Sequence, residues 1–253
     1  MTFAHDTWLV FSRAMRLSVR NPVWVIIGIM QPILYLTLFG PLLEPVANTP
    51  GFPPGDAWQV FTPGMLVLLG LFGAAFVGFG LIAEWRAGVV DRMRVTPAAR
   101  GALLLGRMLR DILVILVQGL LLVFTATLMG LEATMGSILI GLGVVALLGG
   151  AFSAVSYGLA LKLKSEDAFA PLLNGVLLPV MLLSGILLPM TLAPGWLETV
   201  SEFNPITYVV DGTRAIFRGD IASSEAGIGF AVTAVLAVLG VLYGTRMFRR
   251  ESA

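Results

Sequence analysis

The chain has 253 residues, 57% of them hydrophobic and only 12% charged, with a formal net charge of +1. A soluble domain carries roughly twice that charged share, so an ordinary soluble fold is excluded. With no cysteine and a single histidine, His5, disulfides and thiolate metal sites are excluded as well, and His5 alone builds no zinc site without several carboxylates nearby.

The first 22 residues hold Asp6, Arg13, Arg16 and Arg20 among apolar residues. No cleavable signal peptide has a core so interrupted, and the N-terminus is expected to be retained. At about 100° per residue, Thr2, Asp6, Arg13, Arg16 and Arg20 share one helix face and Ala4, Trp8, Phe11 and Met15 lie opposite, with Leu9 and Leu17 blurring the pattern. This predicts an amphipathic helix over 1–22 in the cytoplasmic membrane interface, the plainer alternative being a basic flank to the first span. Asn21-Pro22 is expected to end it.

Long apolar runs place six transmembrane helices near Val23 to Leu43, Phe61 to Ala83, Leu103 to Met129, Ser137 to Leu161, Pro171 to Pro189 and Gly227 to Phe248. At about 20 residues per crossing these use roughly half of the chain and leave no room for a soluble catalytic domain. The expected fold is therefore an all-α integral membrane protein forming a single transmembrane domain over 1–253.

The basic residues orient it. Arg13, Arg16 and Arg20 precede the first span; Arg86, Arg92, Arg94, Arg100, Arg107 and Arg110 lie between the second and third; Lys162 and Lys164 follow the fourth; Arg246, Arg249 and Arg250 end the chain. Fourteen of the sixteen basic residues thus fall on one side, with Arg214 and Arg218 opposite. The positive-inside rule puts both termini in the cytoplasm. Glu44, Asp56, Glu132, Glu198, Glu202, Asp211, Asp220 and Glu225 all fall on the predicted outer side.

Between the second and third spans, residues 84–100 read EWRAGVVDRMRVTPAAR. A short helix fits, with Glu84, Arg86, Asp91, Arg92 and Arg94 around the apolar knobs Val89, Val90, Met93 and Val95, and Pro97 stopping it after Thr96. Apolar anchors ringed by charge suit a partner's groove, although an interfacial helix touching only headgroups would share the pattern.

The fifth span carries Pro171, Asn174, Gly175, Pro179, Ser184, Gly185 and Pro189, so kinking or close packing is expected, and it is the best candidate for a pathway lining or a dimer seam. Beyond it, Pro194-Gly195 opens a segment holding Trp196, Leu197 and Phe203. Asn204 is a good N-cap with Pro205 at the first helical position, and Gly219 is expected to close a helix that presents Asp211, Arg214 and Arg218 on one face. Two short half-apolar helices over 190–220 predict an extracytoplasmic re-entrant hairpin, acting as an outer gate or as a structural lid. The sixth span contains Gly240-x-x-x-Gly244, a close-packing pattern common by chance.

Charges cluster at the span ends; Arg107, Arg110 and Asp111 enter the start of the third, where Arg snorkels and pairs with Asp. An ion-coupled transporter needs ionisable groups within its spans, so an internal proton relay is not expected. The nearest approach to a P-loop runs from Gly158 to Ser165, but Leu163 replaces the second glycine and a membrane helix precedes it. No nucleotide site, catalytic cluster, metal site or bound cofactor is expected in this chain.

The E-x-x-x-G…R-x-x-T-P pattern of Glu84, Gly88, Arg94, Thr96 and Pro97, together with Pro189, Pro194, Trp196, Asn204, Pro205, Tyr208, Asp211, Arg214 and Gly219, resembles an ABC type 2 export permease. The resemblance covers essentially the whole length and is nearest the daunorubicin-resistance type of bacterial drug-export permease; Glu84-Trp85-Arg86 and Met93 depart from the usual loop. It implies two permease copies with two ATPase subunits that bind ATP and Mg, in a bacterial cytoplasmic membrane. It further implies ATPase coupling through Glu84, Gly88, Arg92, Arg94, Thr96 and Pro97. Pathway closure would fall to Asn174, Pro179, Ser184 and Gly185 with the outer hairpin residues Trp196, Asn204, Pro205, Tyr208, Asp211 and Arg214. Membrane lipids and a hydrophobic drug, lipid-like molecule or glycan precursor are the expected small-molecule partners, and no nucleic acid. A membrane scaffold that moves nothing is the alternative of a different class.

Overall fold

The computed structural model describes residues 2–89 and 99–250, and every regular element among them is helical. In chain order these are α1 (Phe3–Arg20), α2 (Val23–Leu43), α3 (Ala57–Ala75), α4 (Gly78–Arg86), α5 (Arg100–Leu128), α6 (Met135–Leu163), α7 (Glu166–Leu182), α8 (Gly195–Ser201), α9 (Pro205–Phe217) and α10 (Ser224–Arg250). Among the described residues, five stretches are long and apolar enough to cross a membrane: Val25–Leu43, Ala57–Arg86, Arg100–Leu128, Met135–Leu163 and Ser224–Arg250. The chain is a multi-pass membrane protein.

Local chemistry sets the helix ends. Asp56 and Gln59 form a capping box on α3, earlier than the predicted start at Phe61. The Thr134 hydroxyl accepts the Ser137 N–H at the start of α6 (3.2 Å). α1 ends at Arg20, with Asn21 and Pro22 separating it from α2 as the sequence predicts.

α3 is the central helix, buried along most of its length, and packs on α2, α5, α6 and α9. The second predicted span is broken at Phe76 and Val77, where α3 gives way to α4. Ser156 of α6 stitches the break: its hydroxyl donates to the Ala75 carbonyl and accepts the Gly78 N–H (2.9 Å). A side chain inserted into the backbone ladder in this way is a recognised cause of a kink. α10 lies along α6 because Gly240 and Gly244 face Ala151 and Ala154; an added Cβ would sit 2.5 and 2.7 Å from their carbonyl oxygens. The Gly-x-x-x-Gly pattern therefore serves packing within the chain.

Contacts define two ends of the bundle. At one, Asp6, Glu84 to Arg86, Ala99 to Arg107, Lys164 to Glu166 and Arg249 meet. At the other, the Trp58 indole donates to Glu44 (3.2 Å), the Gln59 amide donates to the Glu132 carbonyl (2.9 Å), and Gly55 lies against Arg218. The first end collects the segments whose basic residues the sequence places inside.

α7 differs from its prediction. It starts at the first end, where Arg86 pairs with Glu166, and stops at Leu182, seven residues before Pro189. Seventeen residues rise about 25 Å, short of a full crossing. Its following turn lies beside Gly64, about two turns into α3, and α8 and α9 fill the space beyond.

Candidate functional site

At the second end, α9 is inserted among the helix ends and not laid over them. Asn204 caps it by accepting the Ile206 N–H (3.1 Å), while its amide donates to the Val180 carbonyl (2.7 Å). The Thr207 hydroxyl reaches the Leu183 carbonyl (3.1 Å), so the start of α9 takes up carbonyls that the end of α7 leaves free. Gly219, at φ +95°, closes α9 as predicted: its N–H donates to Ile216 (3.1 Å) and that of Asp220 to Ala215 (3.0 Å), a Schellman motif.

Arg214 sits at the centre of this region and is 2% exposed. Its Nε donates to the Val60 carbonyl of α3 (3.0 Å), one terminal nitrogen to the Gly185 carbonyl (2.7 Å) and the other to Asp211 (3.3 Å). The guanidinium fork thus ties α3, the turn after α7 and α9 together. Burial draws the guanidinium down from its ordinary range, and the Asp211 carboxylate opposes that. The expected polar face of Asp211, Arg214 and Arg218 is therefore divided: Asp211 is half-exposed, and Arg214 lies with the apolar residues Val209, Val210, Ile216 and Phe217 in the interior.

The other expected hairpin residues take varied positions. Pro205 opens α9, and the Tyr208 hydroxyl donates to the Glu202 carbonyl (2.8 Å). Trp196 is 69% exposed and Phe203 86% exposed. The candidate seam residues separate into two groups. Asn174 and Pro179 lie on the exposed side of α7, where the Asn174 amide donates only to Ala170 four residues back (3.0 Å). Ser184 and Gly185 are buried in the turn, with Gly185 at φ +73°. α7 itself buries a narrow stripe of Phe169, Leu173, Leu177 and Met181 and leaves Leu172, Val176, Leu178 and Leu182 exposed.

At the first end, Glu84 belongs to α4 and pairs with Arg107 of α5. Next to them Asp111, buried, accepts the Tyr157 hydroxyl of α6 (2.6 Å) and pairs with Arg110 (3.1 Å), and Arg107 lies over the Tyr157 ring at 6.0 Å. Arg110 with Asp111 is the pairing the sequence suggests; Arg107 with Glu84 and Asp111 with Tyr157 join residues too distant in sequence to be read from it. Arg86 meets Glu166 at 3.2 Å, and Lys164 lies over the Trp85 ring at 5.7 Å. Gly88, at φ +67°, follows α4 in a turn. Arg92, Arg94, Thr96 and Pro97 lie outside the described residues.

Asp6, expected on the exposed polar face of α1, is buried and accepts the Ala99 N–H (3.3 Å). α1 docks on α5 through Thr7 and Val10, against Gly106. It thereby ties α1 to the start of α5.

The family model described as ABC-2 type transporter matches residues 5–217. Chains bearing the transport-permease name ycf38 are similar: that of Cyanophora paradoxa is 25% identical over 217 residues, covering 85% of this chain and 75% of the relative. That of Porphyra purpurea is 27% identical over 203 residues, 78% of this chain and 69% of the relative. A third, from Pyropia yezoensis, is 26% identical over 204 residues with the same coverage.

Proposed function

The chain belongs to the ABC-2 type transporter family, and from that premise we propose that it is the permease of an ATP-driven exporter for an amphipathic or hydrophobic cargo. Membership makes it a membrane transport subunit without its own nucleotide site and implies an ABC ATPase partner. On our reading two copies assemble with two ATPases, both termini face the cytoplasm, and α7 is a sixth crossing completed by the outer hairpin.

The observation that carries this reading is the pairing of Glu84 with Arg107 beside Asp111 and Tyr157. A displacement of the 84–97 segment by a nucleotide-driven partner would pass through Glu84 to α5 and from there to α6. This cluster therefore has the connectivity that a coupling element requires, since it joins the end of α4 to two of the long apolar helices. The exposed side of α7, with Asn174 and Pro179, is our candidate for the seam between copies. The hairpin held by Arg214 is our candidate for the outer gate. An apolar or drug-like cargo fits a pathway between helices whose charges lie at their ends.

Reconstitution with an ABC ATPase partner, sought among the neighbouring reading frames, tests the proposal. ATP-dependent movement of a hydrophobic dye, abolished by Gly88 and Arg94 substitutions in an intact complex, is the expected result. Failure of the two proteins to associate, or dye movement driven by a pH gradient alone, would overturn it. An intact complex that hydrolyses ATP and moves nothing would instead favour a membrane scaffold.

A further inference from the structure

Between α1 and α5 lies an open groove of about 570 Å³, within the size range of ligand sites. Phe3, Trp8 and Phe11 form one wall, and Leu105, Leu109 and Leu116 form the other. Thr7 adds the only hydroxyl among the lining residues, and it is turned back to the Phe3 carbonyl (2.8 Å). Apart from the Trp8 indole N–H, no lining side chain offers a polar group free to bond, so hydrogen bonding contributes little to recognising what enters.

The groove follows about 16 Å of α5, from Leu105 to Leu116, which suits an extended hydrocarbon chain better than a compact solute. The opposite face of α1 carries Arg13, Arg16 and Arg20. A helix is about 10 Å across, close to one Debye length at physiological salt, so these charges still act on a headgroup at the groove mouth. Arginines at a membrane surface favour anionic lipid.

We propose that the α1–α5 groove binds one acyl chain of an anionic phospholipid from the cytoplasmic leaflet, and that this chain wedges the interfacial helix in place. The inference rests on the reading of α1 as a cytoplasmic interfacial helix. The occupant is a resident lipid, distinct from the cargo. It fills the gap that the docking of α1 at Gly106 leaves on the aromatic side of the helix.

Photolabelling of the full chain tests it, in phosphatidylcholine vesicles doped with phosphatidylglycerol carrying a diazirine on its acyl chain. The label should map to peptides of α1 and α5. Leu109→Trp fills the groove from a partly exposed position and should cut that labelling about tenfold, because shutting out about two methylenes has that effect. Leu120→Trp, exposed on α5 away from the groove, should leave labelling unchanged. Arg16→Gln with Arg20→Gln should lower labelling by the anionic probe about tenfold and spare a phosphatidylcholine probe. Labelling of α1 that persists undiminished in Leu109→Trp would overturn the groove while leaving the interfacial placement standing. Absence of any label on α1 would remove both. Displacement of the label by the transported dye and not by unlabelled phosphatidylglycerol would assign the groove to cargo and overturn the resident-lipid proposal.

Discussion

The two ends of the bundle anchor their most buried charges differently. At the second end the buried cation Arg214 is spent largely on backbone carbonyls, those of Val60 and Gly185, and fixes three segments at once, while the more exposed Arg218 keeps side-chain partners in Asp220 and Glu225. At the first end the buried and half-buried charges pair mostly with side chains: Glu84 with Arg107, Asp111 with Tyr157 and Arg110, Arg86 with Glu166. A carbonyl has no alternative rotamer, so a fork bound to two of them holds a fixed geometry. Side-chain pairs can exchange partners as helices shift. The difference gives a second end fixed as a unit and a first end whose pairs can rearrange, as the proposed coupling role there requires.

The largest expected effect comes from Arg214. Arg214→Met strips the Gly185 and Val60 carbonyls of a buried donor and leaves Asp211 without its cation, which should cost about 3 kcal/mol or more. Thermal unfolding in detergent should fall by about 6 °C or more. Arg214→Lys keeps the charge without the fork and should recover only part of the loss. Full stability in Arg214→Met would break the contrast.

Tyr157→Phe probes the first end where it is most buried. Asp111 loses its hydroxyl donor, with an expected cost of about 1–3 kcal/mol. If Asp111 and Tyr157 act as a unit, adding Asp111→Asn to Tyr157→Phe should cost less than the two separate losses, which a double-mutant cycle measures. Gly106→Val should cost a similar amount, about 1–3 kcal/mol, because an added Cβ lies 2.7 Å from both the Thr7 carbonyl oxygen and the Val10 Cβ. Its specific signature is exposure of a cysteine introduced at Thr7, as α1 is pushed off α5.

What could be read from the sequence follows the range of the interaction responsible. Asn204-Pro205 and Gly219 act within a turn of chain, and the ends of α9 fall where they predict. The Asp56 and Gln59 capping box is equally local but stood outside the apolar run, so a hydropathy reading began α3 late. The end of α7 was hidden for a different reason. Ile186, Leu187 and Leu188 continue the apolar run after Gly185 has turned the chain, and the Arg214 fork that receives the turn comes from 29 residues further on. Ser156 in the α3–α4 break and Asp6 at Ala99 carry no sequence signal of their own; each is explained only once its distant partner is beside it.

The smallest expected effect belongs to Arg86 and Glu166, whose side chains are 49% and 41% exposed. An ion pair so open to solvent contributes at most about 0.5 kcal/mol, and less in high salt. Arg86→Ala should therefore leave the unfolding temperature almost unchanged. The pair nevertheless joins α4 to α7, the coupling side to the proposed seam between copies, so the informative readout is the ratio of dye moved to ATP hydrolysed by the reconstituted complex. A lowered ratio at unchanged stability, with Glu166→Ala giving the same result, would show that exchangeable surface charge carries motion at this end. An unchanged ratio would confine coupling to Glu84 and Arg107 with Asp111 and Tyr157 beside them, and the first end would then reduce to that buried cluster standing opposite Arg214.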